Sequence, residues 1–132
     1  MPQKLSSSPA QMVAGGCHCR AVRFTVALEA PEIIECNCSI CTMKGFAHLI
    51  VSSSALTIQQ GGDALSEYRF NTHTARHTFC RFCGVQPFYV PRSHPDGYSV
   101  NANCLDDRAL VESMPRTTFD GRNWEAHINE IR

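Results

Sequence analysis

Eight cysteines in 132 residues fall into three tight groups and one outlier, and this spacing restricts the chain more than any other feature. The groups are Cys17-His18-Cys19, Cys36-Asn37-Cys38-Ser39-Ile40-Cys41 and Cys80-Arg81-Phe82-Cys83-Gly84, with Cys104 standing alone. Cysteine makes up about 6% of the residues, below the ~8–10% of a short disulfide scaffold. The opening Met1-Pro2-Gln3-Lys4-Leu5-Ser6-Ser7-Ser8-Pro9 lacks the apolar core of a secretory signal. The expected setting is therefore reducing and cytoplasmic, where closely spaced thiols more often hold a metal than pair with each other.

Zinc takes four soft or borderline ligands in a tetrahedron, with each sulfur about 2.3 Å away. A Cys-x-x-Cys turn aims two thiolates at one point, and a glycine after it lets backbone amides approach the sulfurs. Cys80, Cys83 and Gly84 have this form. Cys17 and Cys19, read as strand residues with both thiols on one face, can supply the other half of a closed structural site. Cys36, Cys38 and Cys41 offer three thiolates within six residues, one short of a tetrahedron. Three protein ligands and an open position are typical of catalytic zinc. Three thiolates would leave that site too electron-rich to acidify water well, but suited to hold an incoming thiol as thiolate. Cys104 is the candidate fourth ligand that would close it. Cys36 and Cys38 can equally share a metal with Cys80 and Cys83, and spacing alone does not choose between these pairings.

The rest of the chain reads as short strands divided by turns. Val22, Phe24 and Val26 alternate with Arg23 and Thr25, the period of a half-buried strand. Ile33-Ile34, His48 to Val51, Leu56 to Ile58, Tyr68 to Phe70, Thr78-Phe79 and Tyr98 to Val100 continue the pattern. Gly61-Gly62 and the segment from Pro91 to Gly97 break it. Pro87 makes the strand from Val85 to Val90 an edge or a bulge. Asp106 is a candidate cap for a short turn through Leu110 and Val111, and Asp120 or Asn123 for a terminal helix carrying Trp124 and Ile128. The expectation is a disordered lead-in over residues 1–14 and a single zinc domain over residues 15–132, with folded sequence beginning near Gly15. No apolar run approaches the ~18–20 residues that span a bilayer.

Twelve basic and twelve acidic residues cancel, which argues against a dedicated nucleic-acid or anionic-membrane binder. Their distribution is uneven: from Tyr68 to Pro95 there is no acid, while Arg69, Arg76, Arg81, Arg92, His73, His77 and His94 are present. Arg76, His73 and His77 are the candidate contacts for an anionic substrate or for acid–base work. His18 and His48 lie near cysteines and read as neighbours of a metal more than as ligands.

These motifs resemble the glutathione-dependent formaldehyde-activating enzymes, whose domain also occurs in centromere protein V. The matching text is Gly15-Gly16-Cys17-His18-Cys19, Cys36 to Cys41, Tyr68-Arg69-Phe70-Asn71-Thr72-His73, Phe79 to Gly84 and Asn103-Cys104-Leu105-Asp106. The resemblance implies a mainly β, Mss4-like fold: two twisted antiparallel sheets with zinc-binding knuckles and a short C-terminal helix. It implies two zinc ions per chain, a structural one on Cys17, Cys19, Cys80 and Cys83 and a second on Cys36, Cys38 and Cys41. The implied activity joins formaldehyde and glutathione as S-hydroxymethylglutathione, a carbon–sulfur lyase reaction read in reverse. Asn37 stands where formaldehyde-linked members usually carry His, and the text around it is nearer to the centromere protein V branch. The alternatives to an enzyme are a zinc-stabilised binding module without chemistry, or a DNA- or tubulin-binding domain.

Overall fold

The computed structural model describes residues 10–37, 39–69 and 75–120. In chain order its strands and helices are β1 (Gln11–Gly16), β2 (Arg23–Leu28), β3 (Ile33–Cys36), α1 (Ser39–Lys44), β4 (His48–Ser52), β5 (Leu56–Gln60), β6 (Leu65–Tyr68), β7 (His77–Cys80), β8 (Phe88–Tyr89), β9 (Gly97–Asn101), α2 (Arg108–Ser113) and β10 (Arg116–Phe119). Single 3₁₀ turns follow β4, β5 and β9.

Alternation drives the first sheet. In β2, Phe24, Val26 and Leu28 are buried while Arg23, Thr25 and Ala27 are half-buried. The strand pairs antiparallel with β1, Gln11 opposite Leu28 and Gly16 opposite Arg23, and with β5 on its other edge. Gly61 ends β5 in a left-handed turn at φ 82, where a Cβ would lie 2.0 Å from the carbonyl oxygen of Ala21. Only glycine fits that approach.

The larger sheet runs β10–β3–β4–β9–β8, and β6 with β7 forms a separate ribbon. All of these pairings are antiparallel except β10 with β3, which run parallel with Arg116 opposite Ile33 and Phe119 opposite Cys36. The ribbon reaches the large sheet through the Arg76–Val90 bridge. The two layers meet at Phe24 and Phe88, whose rings stand edge to face at 5.7 Å, and Phe88 meets Tyr98 in the same way at 5.7 Å. Val22, Val26, Ile33, Val100 and Val111 complete a fully buried centre.

The fold is mainly β and consistent with the Mss4-like type. Where two antiparallel sheets were expected, the described residues form three, one of them mixed. Among the described residues, β1 is already formed at Gln11, ahead of the expected start near Gly15, with Val13 buried and paired opposite Val26 of β2. The strand expected from Val85 to Val90 shrinks to Phe88–Tyr89, the last strand of its sheet among the described residues, and Pro87 lies just before it. The cap of α2 is Asp107, not Asp106: the Asp107 carboxylate accepts from the N–H of Leu110 at 3.1 Å. Asp106 instead pairs with Arg23. The anticipated terminal helix through Trp124 and Ile128 lies outside the described residues. Among the described residues no helix is long and apolar enough to cross a membrane.

Phe24→Ala is expected to cost about 3–5 kcal/mol of unfolding free energy, because it opens a cavity where the layers meet. Ile58→Ala, at a position 39% exposed, is expected to cost less than about 1 kcal/mol. Guanidinium titration of the metal-loaded protein measures both.

Candidate metal centre

Cys17 follows the last residue of β1 and Cys80 ends β7, so two strand ends deliver one buried cysteine each to the same place. A turn after each strand returns the second cysteine of the pair, Cys19 or Cys83. The residue following each second cysteine is left-handed, Arg20 at φ 68 and Gly84 at φ 79. Glycine takes that conformation freely, whereas at Arg20 it costs about 1–2 kcal/mol. Cys17 and Cys19 therefore converge through a turn and not through the one-sided strand expected from their spacing.

The four sulfurs all lie within 4.8 Å of one another. Cys17 Sγ is 3.7 Å from Cys19 Sγ, and Cys19 Sγ is 3.6 Å from Cys80 Sγ. A disulfide would hold such atoms at about 2.05 Å. Four sulfurs at about 2.3 Å from a zinc are separated by tetrahedron edges of about 3.8 Å, so the donors and their spacing fit the ion.

Backbone amides surround this cluster. The N–H of Val22 points to Cys17 Sγ at 3.3 Å and that of Phe82 to Cys80 Sγ at 3.4 Å. Burial opposes a charge on Cys83, but the amides of Cys19 and Val85 and the neighbouring thiols outweigh it and bring its pKa down to about 6. Cys80 is lowered in the same way, against burial, by the amides of Cys83 and Phe82. At Cys19 the amide of Ala21 favours the thiolate, yet desolvation and the three neighbouring thiols prevail and push its pKa up to about 11. Negative charge thus gathers first on the second knuckle.

Cys104 is not one of the four. Its thiol donates to the carbonyl of Gln86 at 3.7 Å, and burial, reinforced by the charges of Cys17 and Cys83, pushes its pKa up to about 12. Its electrostatic neighbours are thus members of the four-cysteine set, and it is held there as a neutral thiol. Of the middle group, Cys36 ends β3 and is half-buried, Cys41 is buried within α1, and Cys38 lies outside the described residues. An open cleft of about 450 Å³ adjoins Cys36, lined also by Glu35, Asn37, Thr42, Thr118 and Asp120. The Asn37 amide donates to Asp120 at 3.1 Å, and the Asn37 N–H donates to the Phe119 carbonyl at 3.3 Å.

Two of the three expected substrate contacts are among the described residues, and each is engaged elsewhere. Arg76 is ion-paired with Glu67 at 2.6 Å on the surface. His77 is buried and stacked on Tyr89 at 4.8 Å, and His73 lies outside the described residues. His18 is exposed, and His48 is buried with its Nδ1 2.9 Å from Ser99 Oγ. Unanticipated is Lys44, which ends α1. Its Nζ donates to Gln86 Oε1 at 2.5 Å, lies 3.1 Å from His77 Nδ1, and sits 4.8 Å from the centre of the Tyr89 ring. The signal available in the sequence was its spacing, three residues after Cys41, which on a helix is one turn along the same face.

Over residues 12–119 the chain matches the family described as glutathione-dependent formaldehyde-activating enzyme. Among solved structures, it is similar to a Rhodobacter sphaeroides protein known from a crystal structure. The two are 34% identical with a TM-score of 0.69, and the likeness covers 79% of this chain and 99% of the other. With its cysteine knuckles, its β fold and a match across most of its length, this chain belongs to the glutathione-dependent formaldehyde-activating enzyme family.

Proposed function

We propose that this protein is a zinc-dependent carbon–sulfur lyase-type enzyme of a cytoplasmic setting. It would join a small thiol to an aldehyde or release the two from their adduct, with glutathione and S-hydroxymethylglutathione as the pair favoured by family membership. The observation that carries this reading is the self-sufficiency of the four-cysteine cluster, whose sulfurs close a tetrahedron without help. Cys36, Cys38 and Cys41 are then left to form a second site with a position to spare.

A zinc ion held by Cys36, Cys38 and Cys41 would favour the thiolate form of an incoming thiol. In the forward direction the thiol sulfur forms a bond to the carbonyl carbon, the carbon–oxygen π pair moves to oxygen, and the proton lost from the thiol ends there. The reverse direction returns that proton as the carbon–sulfur bond breaks. The chain's own contribution is placement. Cys36 opens onto the cleft, and Asn37 beside it is tied to Phe119 at the end of β10 and to Asp120, which anchors that side of the group.

Metal analysis of the purified protein with and without glutathione is the direct test. Two zinc ions per chain are expected, with glutathione altering the environment of one. Cys38→Ser is expected to retain one zinc and a melting temperature near that of the parent while losing turnover. Cys83→Ser is expected to lose the structural ion and cooperative unfolding. A parent protein that binds a single zinc, or a Cys38→Ser variant with full turnover, overturns the reading.

Proton competition supplies a second measurement. Cys19, with its pKa near 11, must release a proton to bind metal anywhere between about pH 7 and 10. Affinity at the four-cysteine site is therefore expected to rise at least about tenfold per pH unit across that range. Below about pH 6 Cys83 is also protonated in the metal-free cluster, so the dependence steepens by a further tenfold per unit. Competition with a chromogenic chelator across the pH range reads both slopes.

A further inference from the structure

The four clustered cysteines differ in how far solvent reaches them. Cys17 and Cys80 are buried and Cys83 is half-buried, but Cys19 is exposed, as are His18 and Arg20 on either side of it. Backbone amides also shield the four unequally. Cys80 receives the N–H groups of Phe82 and Cys83, and Cys83 those of Cys19 and Val85, whereas Cys19 has Ala21 alone. Cys17 has one such amide too, from Val22, but lies out of reach. An amide directed at a thiolate draws on the sulfur's electron density and makes it a poorer nucleophile. Exposure and sparse shielding together make Cys19 the sulfur of the cluster that a small oxidant meets first.

A second sulfur stands ready beside it. Cys80 Sγ, on the other knuckle, is 3.6 Å from Cys19 Sγ, and a shift of about 1.5 Å brings the two to disulfide distance. Cys17 Sγ is 3.7 Å away on the same knuckle. A bond to Cys17 would close a ring over one intervening residue. The backbone there is already fixed, with Cys17 N–H on the Val22 carbonyl and Arg20 N–H on the Cys17 carbonyl. That leaves little freedom for the torsion near 90° that a disulfide requires. Between knuckles no such ring forms, since Cys19 and Cys80 are 61 residues apart.

We propose that Cys19 of the zinc-loaded cluster is a site of oxidation by peroxides, which closes a disulfide with Cys80 and releases the metal. The Cys19 thiolate attacks one peroxide oxygen, the oxygen–oxygen bond breaks, and hydroxide leaves a sulfenic acid on Cys19. The Cys80 thiolate then attacks the Cys19 sulfur, the sulfur–oxygen bond breaks, and a second hydroxide leaves. Two thiolates have given up one electron each, and both peroxide oxygens are reduced. With two of four donors gone, zinc dissociates. The new bond joins the same two strand ends, those of β1 and β7, that the metal had joined.

The zinc-loaded parent protein is treated with one equivalent of hydrogen peroxide, its remaining thiols are alkylated, and its peptides are mapped by mass spectrometry. A chromogenic chelator reads released zinc in parallel. Mapping reads each cysteine separately, so the middle group does not enter the result. Within the cluster the expected product is the Cys19–Cys80 disulfide, with zinc released in step and both changes reversed by dithiothreitol and added zinc. Cys104→Ser, which removes the thiol beside the cluster, is expected to leave product and rate unchanged. Cys19→His keeps a fourth zinc ligand but no exposed sulfur, and is expected to slow oxidation of Cys80 at least about tenfold. Parent mapping decides the matter should that variant fail to load zinc. A first oxidation at Cys17, Cys80 or Cys83, or a disulfide joining any other pair, overturns the proposal. So does a Cys80 oxidised as fast in Cys19→His as in the parent.

Discussion

Four sulfurs brought within van der Waals reach of one another, without bonding, are the constraint from which the rest of this structure follows. Thiolates so placed repel, and thiols so placed gain little, so the arrangement is stable only as the shell of a cation. Its donors come from two distant parts of the chain, Cys17 and Cys19 after β1 and Cys80 and Cys83 after β7. Joining them clamps the ends of two sheets that would otherwise have modest means of staying together. A two-stranded ribbon such as β6–β7 is marginal by itself in water. Here it is tied at one end by the cysteine knuckle and at the other by the Arg76–Val90 bridge. The amides directed at Cys17 and Cys80 then share out the negative charge that metal binding leaves on sulfur.

Much of this was legible from sequence because it is local. The alternation through Phe24, Val26 and Leu28 reports a strand from a handful of residues, and Cys80-x-x-Cys83-Gly84 carries its own turn instructions. Failures occur where the determinant is distant or where two local signals compete. Arg116 to Phe119 contains one buried residue and no alternation, and it is a strand because β3 offers it a parallel partner more than 80 residues away in sequence. Residues 39–44 form a short helix, with Cys41 buried in it, that the cysteine spacing alone does not announce. Asp106 and Asp107 are equivalent capping candidates by type, and the choice falls to Asp107 because Arg23, on another sheet, claims its neighbour.

The site divides in the same way. Each half of the four-cysteine cluster was readable from spacing, since each is a short turn, but spacing left open which halves share a metal, and the fold brings Cys17 and Cys19 to Cys80 and Cys83. Substrate contacts were not readable, because they depend on which side chains the sheets bring alongside the cysteines. The acid-free stretch from Tyr68 to Pro95 suggested its arginines and histidines as the anion-binding groups. In the fold that stretch contributes His77, Gln86 and Tyr89, which lie around the ammonium of Lys44 from another segment. Excess positive charge was a true property of the sequence there, but Glu67 engages Arg69 and Arg76 on the surface.

Gln86 gives the two cysteine groups a physical connection. Its segment leaves the second knuckle through Val85, whose carbonyl accepts from the Cys80 N–H at 2.9 Å, and its carbonyl accepts from the Cys104 thiol beside the closed cluster. Its side chain, facing the other way, holds the ammonium of Lys44, on the helix that carries Cys41. A metal on Cys80 and Cys83 would thereby fix a segment that, three residues on, reaches the helix carrying Cys41. Asn37 provides the corresponding anchor on the far side, binding the backbone beside Cys36 to the end of β10. Of the middle group, Cys36 is thus flanked by a tie to β10 and Cys41 shares a helix with the residue that Gln86 holds.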